Sequence, residues 1–521
     1  MAKKKNVKTK SIEESLWESA NKLRGSVESA EYKHVVLGLI FLKYAGDKFQ
    51  ERKKELVAEG KEKYVEMKDF YTMQNVFFLE ETSRWSYIIS QAKQDDIALK
   101  IDTALHQIEK NNPILKGALP DNYFSRLGLD KSKLSALLDT INLMDTQADK
   151  SQDFIGRVYE YFLGKFALKE GKGKGEFYTP KSIVNLMAEL IQPYKGIIYD
   201  PACGSGGMFV QSIKFIEAHN GNKKEVSIYG QELTNTTYKL GKMNLAIRGI
   251  SANLGERAAD TFHRDQHPDL KADYIMANPP FNQKQWRAED ELQDDPRWKG
   301  YDVPPKSNAN YGWILNMVSK LSENGVAGFI LANGALSGGS EEYKIRKKLI
   351  ENNLIEAVII IPRDTFYTTD ISVTLWIINR NKKERTATIN DQAKNYRNRE
   401  KEVLFMDLRP IGIPFEKKFI QFSEKQVKRI ANTFHQWQIK DGDYADEAEY
   451  SYSAKIDEVV KKDYSLVPSK YIEFVNRDAD FDFETKMSGL QSELSKLLQK
   501  QVESNRNLQE VFKNLGYEIK L

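Results

Sequence analysis

Apolar residues follow two different periods along this chain, and the change falls near residue 168. Up to residue 167 they recur at helical spacing, as in YKHVVLGLIFLKYAGDKF (32–49) and SKLSALLDTINLM (132–144), and few stretches alternate as a strand does. Such spacing places apolar side chains on one face of a helix. We therefore predict an N-terminal all-α domain over residues 1–167.

Beyond the glycine-rich stretch GKGKGEFYTP (171–180), short apolar runs alternate with helical segments. Apolar runs of strand length between helices are typical of a mostly parallel sheet covered on both faces. Such sheets bind ligands at the carboxyl ends of their strands. The runs predict a mostly parallel seven-stranded sheet in an α/β domain over residues 168–475, with strands at GIIYD (196–200), VSIYGQE (226–232), ADYIMANPP (272–280), GVAGFILAN (325–333), EAVIIIP (356–362), SVTLWIINR (372–380) and VLFMDLR (403–409).

The end of the chain becomes helical again. We predict a C-terminal helical tail over residues 476–521, whose apolar face either folds back on its own domain or contacts a partner. The sequence favours neither of these two roles. The apolar residues of this face are Met487, Leu490, Leu494, Leu497, Leu498 and Val502.

Two polar insertions interrupt the α/β domain. Residues 282–310 carry Trp286 and Trp298 among charges. They either order over a bound substrate or form a solvated loop, and the solvated loop is the commoner outcome for such a segment. Residues 381–402 are basic, which is compatible with phosphate contacts. A solvated hairpin is the simpler interpretation, so we do not count these residues as a site.

Composition narrows the classes of protein only a little. The chain has 521 residues, 40% of them apolar, and a net charge of +4, which permits a nucleic-acid partner without arguing for one. Its single cysteine, Cys203, excludes an intrachain disulfide and a cysteine-based zinc site, so we expect no metal and a reducing, cytoplasmic setting. No apolar stretch approaches the roughly 20 residues that span a bilayer, so no membrane contact is expected.

A glycine-rich turn follows the first predicted strand, in IIYDPACGSGGMFV (197–210). Gly204, Gly206 and Gly207 let the backbone approach a ligand, and the next helix presents free N–H groups. Asp200, just before the turn, suits a ligand with a cation or an amino group better than a pyrophosphate. Without other motifs this stretch would be an ordinary strand-to-helix turn.

Two further carboxylates come at or near later strand ends. Glu232 follows the second predicted strand, where a carboxylate commonly accepts hydrogen bonds from ribose hydroxyls. Asp260 lies in a loop ahead of the third strand, where it either accepts from an adenine amino group or caps a helix. With the glycine turn, these acids predict a cofactor that contains a nucleoside.

The third strand ends in the rigid turn MANPPFNQ (276–283). Proline fixes φ and donates no hydrogen bond, so Pro279 and Pro280 would hold Asn278 and Phe281 in fixed positions. Upstream of the first strand, EFYTP suggests a flexible aromatic lid, with Thr179 as a helix N-cap, or an interdomain linker.

EFYTP, DPACGSGG, GQE and NPPF occur in this order, and here the chain resembles the S-adenosylmethionine-dependent amino-methyltransferases. It is most similar to the modification (M) subunits of type I restriction–modification enzymes, over nearly its whole length. The likeness includes LWESANKLRGSVESAEYKHVVLGLIFLKY (16–44) and FYTTDISVTLWIINR (366–380). The family's cofactor residues correspond to Glu176, Phe177, Tyr178, Thr179, Pro180, Lys181, Asp200, Gly204, Ser205, Gly206, Gly207 and Glu232.

The resemblance implies a Rossmann-like fold that transfers a methyl group from S-adenosylmethionine to N6 of a flipped-out adenine in duplex DNA. The adenine amine is a weak nucleophile, because its lone pair is delocalised into the ring. The Asn278 side-chain oxygen and the Pro279 carbonyl would accept its two hydrogens. Phe281 would stack on the base.

The chain shows no module that reads DNA sequence. The resemblance implies that a separate specificity (S) subunit reads the target, in an assembly with a second M subunit and, in some complexes, a restriction (R) subunit. Cytosine N4 uses the same chemistry, whereas glutamine methyltransferases of proteins typically carry NPPY. A cofactor-binding subunit without its own activity is a further alternative, which the intact NPPF disfavours. Cytosine C5 chemistry is rejected, since its cysteine nucleophile could only be Cys203, which lies in the glycine turn.

Overall fold

The computed structural model describes residues 14, 17–18, 21, 29–143, 154–170, 179–366, 370–416, 418–475 and 483–519. The chain divides into two compact units, Met1–Ile472 and Glu473–Leu521. None of the helices in these described ranges is long and apolar enough to cross a bilayer.

The described N-terminal residues, up to residue 170, contain helices and no strand, as the apolar spacing predicts. A buried carboxylate stabilises the backbone at the start of one of these helices. Asp102 is 3% exposed, and its carboxylate accepts from the backbone N–H groups of Tyr123, Phe124 and Ser125 at 2.8–2.9 Å. The helices are α1 (Ser29–Ala58), α2 (Asp69–Thr72), α3 (Trp85–Ser90), α4 (Ile97–Asn111), α5 (Tyr123–Arg126), α6 (Lys131–Asn142) and α7 (Phe154–Glu170).

Seven further helices accompany the sheet in the first unit, and one forms most of the second. They are α8 (Lys181–Ile191), α9 (Gly207–Ala218), α10 (Asn235–Ile247), α11 (Asn310–Lys320), α12 (Ser340–Glu351), α13 (Glu424–Gln438), α14 (Ile456–Lys461) and, in the second unit, α15 (Phe483–Asn514). The strands are β1 (Gly196–Asp200), β2 (Val226–Gly230), β3 (Ala252–Asn253), β4 (Ala272–Ala277), β5 (Leu321–Ala332), β6 (Ile355–Ile361), β7 (Val373–Asn379), β8 (Arg385–Ile389), β9 (Gln392–Tyr396), β10 (Glu402–Asp407), β11 (Ile413–Phe415), β12 (Phe419–Gln421) and β13 (Ser451–Lys455).

The main sheet has nine strands in the order β13-β10-β6-β7-β5-β4-β1-β2-β3. All seven predicted strands are present, but the predicted number is wrong, because β3 and β13 add one strand to each edge. β3 has only two residues, and β13 is the polar stretch SYSAK, so neither forms an apolar run. The sheet is mostly parallel: β7 runs antiparallel to both neighbours and β13 antiparallel to β10.

Helices cover both faces of this sheet. Apolar side chains of α8, α9 and α13 form the core on one face, and those of α11 and α12 form the core on the other. β1 lies between β2 and β4, so the chain order reverses direction at this point of the sheet. A crevice is expected at the carboxyl ends of strands where the order reverses.

The helical region is joined to the α/β region through α10. Leu240, Met243 and Ile247 of this helix belong to the same apolar core as α1 and α7. Tyr44 donates its hydroxyl hydrogen to the Ile247 carbonyl at 2.9 Å, and Tyr159 donates to the Leu240 carbonyl at 3.2 Å. The helical region is thereby fixed next to the carboxyl end of β2, where α10 begins.

The first insertion is folded in this structure, which corrects the expectation of a solvated loop. Trp286 and Trp298 are 4% and 2% exposed and pack against Phe262. Each indole N–H has a backbone acceptor. Aromatic side chains at this burial belong to the core. The second insertion forms the antiparallel β8–β9 hairpin, as expected.

The second unit contains α15, which agrees with the predicted C-terminal helix. The apolar residues predicted on one face are all exposed, from 49% at Met487 to 69% at Val502. A row of exposed apolar side chains of this length is unusual on a helix without a binding partner.

Candidate active site

The glycine turn after β1 is held in conformations that favour glycine. Gly204 and Gly206 have φ values of 54° and 76°. Gly206 precedes α9, and no side chain caps this helix. Gly241 of α10 faces the turn so closely that a Cβ there would lie 2.8 Å from the Gly204 carbonyl oxygen. Gly241 was not predicted, since only the tertiary contact reveals the need for a glycine.

Asp200 lies beneath this turn and is 1% exposed. One of its carboxylate oxygens accepts from the Ala202 backbone N–H at 2.9 Å. Burial raises the pKa of this carboxyl to about 8; the Ala202 hydrogen bond opposes the rise, and the nearby Glu232 charge adds to it. A carboxyl with such a pKa is largely neutral at pH 7 unless a cation approaches it.

Glu232 connects the two loops that follow β1 and β2. One carboxylate oxygen accepts from the Gly204 N–H at 3.0 Å and the other from the Thr234 N–H at 2.8 Å. The carboxylate also lines the pocket described below. A carboxylate oxygen can accept more than one hydrogen bond, so the chemistry of Glu232 suits hydroxyl donors at the pocket.

Asp260 closes a turn and also lines the pocket, so its predicted role as an acceptor for adenine stays a prediction. Its carboxylate accepts from the Phe262 N–H at 2.7 Å, which closes a turn as a cap does. The side chain lines the same pocket as Glu232. The neighbouring Thr261 donates its hydroxyl hydrogen to the Pro201 carbonyl at 2.6 Å, and this bond ties the Asp260 loop to the glycine turn.

The NPPF turn begins directly after β4. Asn278 is 6% exposed, and its Nδ2 donates to Thr179 Oγ1 at 3.0 Å. Its Oδ1 is buried and has no hydrogen-bond partner in the described part of the chain. Thr179 is not the helix N-cap that we expected, because Pro180 occupies that position. The hydroxyl of Thr179 instead orients the Asn278 carboxamide.

The other residues of this turn differ in exposure. Pro279 is buried, whereas Pro280 is half-buried and lines the pocket. Phe281 is also half-buried, and its ring lies edge-on to Phe366 with centroids 6.2 Å apart. One side of the Phe281 ring is therefore engaged within the core next to the turn.

These loops surround one open pocket of about 1050 Å³, its mouth included. Six predicted site residues line it: Gly204, Ser205, Glu232, Asp260, Asn278 and Pro280. Eight others do not line it: Thr179, Pro180, Lys181, Asp200, Gly206, Gly207, Pro279 and Phe281. Glu176, Phe177 and Tyr178 lie outside the described residues.

Several lining residues were missed. Lys33 of α1 and Leu163 and Phe166 of α7 bring the helical region to the wall of the pocket. Gln283 and Trp313 line it from the α/β region. The sequence carries no signal for a role of Lys33 in the pocket, because it lies far from the motifs at the strand ends. Gln283 could have been predicted as a site residue, since it lies two residues after the NPPF turn.

Two family models match this chain, one over the α/β region and one over the N-terminal helical region. The family model for N-6 DNA methylases matches residues 150–480, and a model for the HsdM N-terminal domain matches residues 12–141. The chain belongs to the N-6 DNA methylase family. The resemblance inferred from the motifs is thereby confirmed, together with the α/β fold class.

Named relatives cover most of the chain. It is 36% identical to the type I restriction enzyme MjaIX methylase subunit of Methanocaldococcus jannaschii, over 98% of this chain and 92% of the relative. It is 41% identical to the HindI methylase subunit of Haemophilus influenzae, over 82% of this chain and 94% of the relative. The crystal structure of a type I methyltransferase subunit from Streptococcus thermophilus shares the fold, with a TM-score of 0.73 at 23% identity, over 89% of this chain and 99% of that one.

The N-6 DNA methylase is an adenine-specific DNA methyltransferase whose methyl donor is S-adenosylmethionine. The pocket fits this donor. Carboxylates at Glu232 and Asp260 are acceptors for hydroxyl and amino groups, and the glycine turn leaves room beside the backbone. The Asn278 Oδ1, which has no partner among the described residues, is a further acceptor on a residue that lines the same pocket.

Proposed function

We propose that this N-6 DNA methylase is the M subunit of a type I restriction–modification enzyme and methylates N6 of a flipped-out adenine in duplex DNA. The names of its relatives, at 36% and 41% identity, support the subunit assignment. The observation that carries the site is the buried, unpaired Oδ1 of Asn278. An unsatisfied buried acceptor costs roughly 1–3 kcal/mol, so its retention at a strand end argues for a ligand that donates to it.

Asn278 and Pro279 would prepare the amine for attack. The Asn278 Oδ1 and the Pro279 carbonyl would accept the two amine hydrogens and draw the lone pair out of conjugation with the ring. The prolines limit backbone motion in the turn. Thr179 holds the carboxamide so that its oxygen, and not its nitrogen, is free.

Phe281 would supply a surface for the extrahelical base. Extruding a base costs a few kcal/mol of stacking, and an aromatic ring recovers part of this cost. The Phe366 ring, 6.2 Å away and at 75° to it, holds the Phe281 ring in position next to the turn. No strong general base is needed, because the amine becomes acidic only as the methyl group is transferred.

The other predicted site residues would bind the methyl donor, which supplies an electrophilic methyl group on its sulfonium. Glu232 would accept from ribose hydroxyls and Asp260 from the adenine amine. The backbone from Gly204 to Gly207 would contact the amino-acid part, above Asp200. Residues 176–181 would contribute to cofactor binding, as the resemblance implies.

Sequence recognition would come from a separate S subunit, in an assembly with a second M subunit and an R subunit. The exposed apolar face of α15 is the candidate contact for the S subunit. We propose domain boundaries at 1–167, 168–475 and 476–521, the last segment providing this contact.

The proposal is tested by methyl transfer from labelled S-adenosylmethionine to duplex DNA, with the chain alone and with its specificity subunit. N6-methyladenine that appears only in the two-subunit sample supports it. Label with the chain alone would place the recognition module within these residues. Cofactor binding without labelled DNA in either sample would overturn the proposed substrate.

A further inference from the structure

Three buried polar atoms of residues that line the pocket have no hydrogen-bond partner within the described ranges: Asn278 Oδ1, Gln283 Oε1 and Trp313 Nε1. The first two are acceptors, whereas the third is a donor. The proposed chemistry uses only Asn278. A pocket that leaves both kinds of group unpaired is suited to a ligand that carries an acceptor as well as donors.

The indole of Trp313 is an exception among neighbouring tryptophans. Trp313 is 5% exposed, and its ring packs against Phe262 with centroids 4.3 Å apart. Trp286 and Trp298, in the same aromatic cluster, donate to backbone carbonyls at 2.9 and 2.6 Å. The fold thus pairs the indole N–H groups of this cluster except for the one that lines the pocket.

Trp313 is fixed relative to the NPPF turn. The Asn282 N–H donates to Asn310 Oδ1 at 3.0 Å, and Asn310 Nδ2 donates back to Asn282 Oδ1 at 2.9 Å. The backbone N–H of Ala309 donates to the Gln283 carbonyl at 2.9 Å, and the backbone N–H of Trp313 donates to the Ala309 carbonyl at 2.9 Å. These bonds clamp the first turn of α11 to the segment that follows the Asn278 turn.

We propose that Trp313 is a base-binding residue whose Nε1–H donates a hydrogen bond to N1 of the flipped adenine. This inference rests on the proposed function. Adenine N1 is the ring acceptor bonded to the carbon that bears the amine, so a base held by Asn278 presents N1 close by. Guanine and thymine carry an N–H at the corresponding ring position and would meet the indole donor with a donor of their own.

The test uses the complete complex with the specificity subunit and duplexes that carry adenine, 1-deazaadenine or 7-deazaadenine at the target position. Single-turnover methyl transfer is measured for the wild type and for Trp313→Phe, which removes only the donor and part of the ring. On adenine we expect Trp313→Phe to be slower by about tenfold, the effect of one lost hydrogen bond. On 1-deazaadenine the two proteins should react at similar rates, and on 7-deazaadenine the difference should persist.

Trp376→Phe is the matched control. Trp376 is fully buried in β7 and does not line the pocket, and its Nε1 also has no partner in the part of the chain that the structure describes. Its variant should retain the wild-type sensitivity to 1-deazaadenine. If Trp313→Phe does not fold, the wild type still provides a test, because equal rates on the two deaza bases would overturn the N1 contact.

The remaining outcomes are distinct from one another. A difference between wild type and Trp313→Phe that is the same on all three bases would overturn the inference and indicate a packing role. Weaker S-adenosylmethionine binding in Trp313→Phe, without any dependence on the base, would assign the donor to the cofactor and also overturn it. Failure of the wild type to methylate adenine would instead contradict the proposed function.

Discussion

Asn278 Nδ2 donates to Thr179 Oγ1 across 3.0 Å, and this bond leaves the buried Oδ1 of the same carboxamide unpaired. The two residues lie in separate motifs, one before α8 and the other after β4. The orientation of the proposed catalytic acceptor therefore depends on a hydroxyl group from another part of the chain.

Replacing this hydroxyl should slow methyl transfer without a comparable loss of cofactor binding. Thr179→Val removes the acceptor for Asn278 Nδ2 at nearly constant volume, so the carboxamide is free to rotate. We expect the single-turnover rate to fall about tenfold, in line with one lost hydrogen bond. Thr179→Ser should restore most of the rate, and a Thr179→Val enzyme as fast as the wild type would contradict the orienting role.

Glu232 should matter for cofactor affinity. In Glu232→Gln an NH₂ group replaces one carboxylate oxygen. This group would face either the Gly204 N–H or the Thr234 N–H, so one of the two hydrogen bonds is replaced by a contact between two donors. We expect the Kd for S-adenosylmethionine to rise roughly tenfold or more, because a charged acceptor is lost. Calorimetric titration measures this change. Glu217→Gln, an exposed substitution on α9, is the control, and equal affinities in the two variants would refute the assignment.

Asp200 should make stability depend on pH. Burial raises its pKa to about 8, so the folded protein keeps a proton that the unfolded chain, with a pKa near 4, has lost. The stabilisation from this group is fully present below about pH 4 and is lost as the pH rises through about 8. Asp200→Asn should therefore gain stability relative to the wild type between pH 5 and pH 9.

Urea unfolding at several pH values measures the Asp200 effect. We expect the difference in the free energy of unfolding to change by roughly 1 kcal/mol or more over this range. Asp269→Asn, at an exposed position, should run parallel to the wild type. Parallel curves for Asp200→Asn as well would show that the folded-state pKa of Asp200 is ordinary.

The first insertion should contribute to stability. Trp298 is 2% exposed, and its indole donates to the Leu292 carbonyl. Trp298→Ala should lower the free energy of unfolding by about 3–5 kcal/mol, as large-to-small core changes do. Lys284→Ala, in the same insertion but exposed, should change it little. A loss below about 1 kcal/mol for Trp298→Ala would mean that the insertion folds independently of the core.

Local pattern was sufficient for the central strands but not for the edges. β6 and β7 are buried along their whole length, so their sequences are continuous apolar runs that any reading of periodicity detects. β13 forms because five of its backbone positions pair with β10, and its side chains SYSAK carry no comparable signal. Tertiary pairing, which local sequence does not encode, determines such strands.

Site residues that follow strands could be predicted from local sequence, whereas those that tertiary contacts bring to the pocket could not. Glu232 and Asn278 follow strands directly, so the rule for parallel sheets located them. Lys33 reaches the pocket only because α1 and α7 pack around α10, a contact between distant parts of the chain. The role of Thr179 was misjudged because a threonine before a helix usually caps it, whereas here a buried carboxamide takes its hydroxyl.

The most direct test of the central claim is to measure, in the same Asn278→Ala protein, single-turnover methyl transfer and the Kd for S-adenosylmethionine. Asn316→Ala, a fully buried asparagine of α11 that does not line the pocket, is the control. We predict a rate at least roughly 100-fold below wild type for Asn278→Ala, typical of a lost transition-state contact, with little change in Kd. A rate close to that of the wild type, or a loss explained by cofactor affinity alone, would contradict the account.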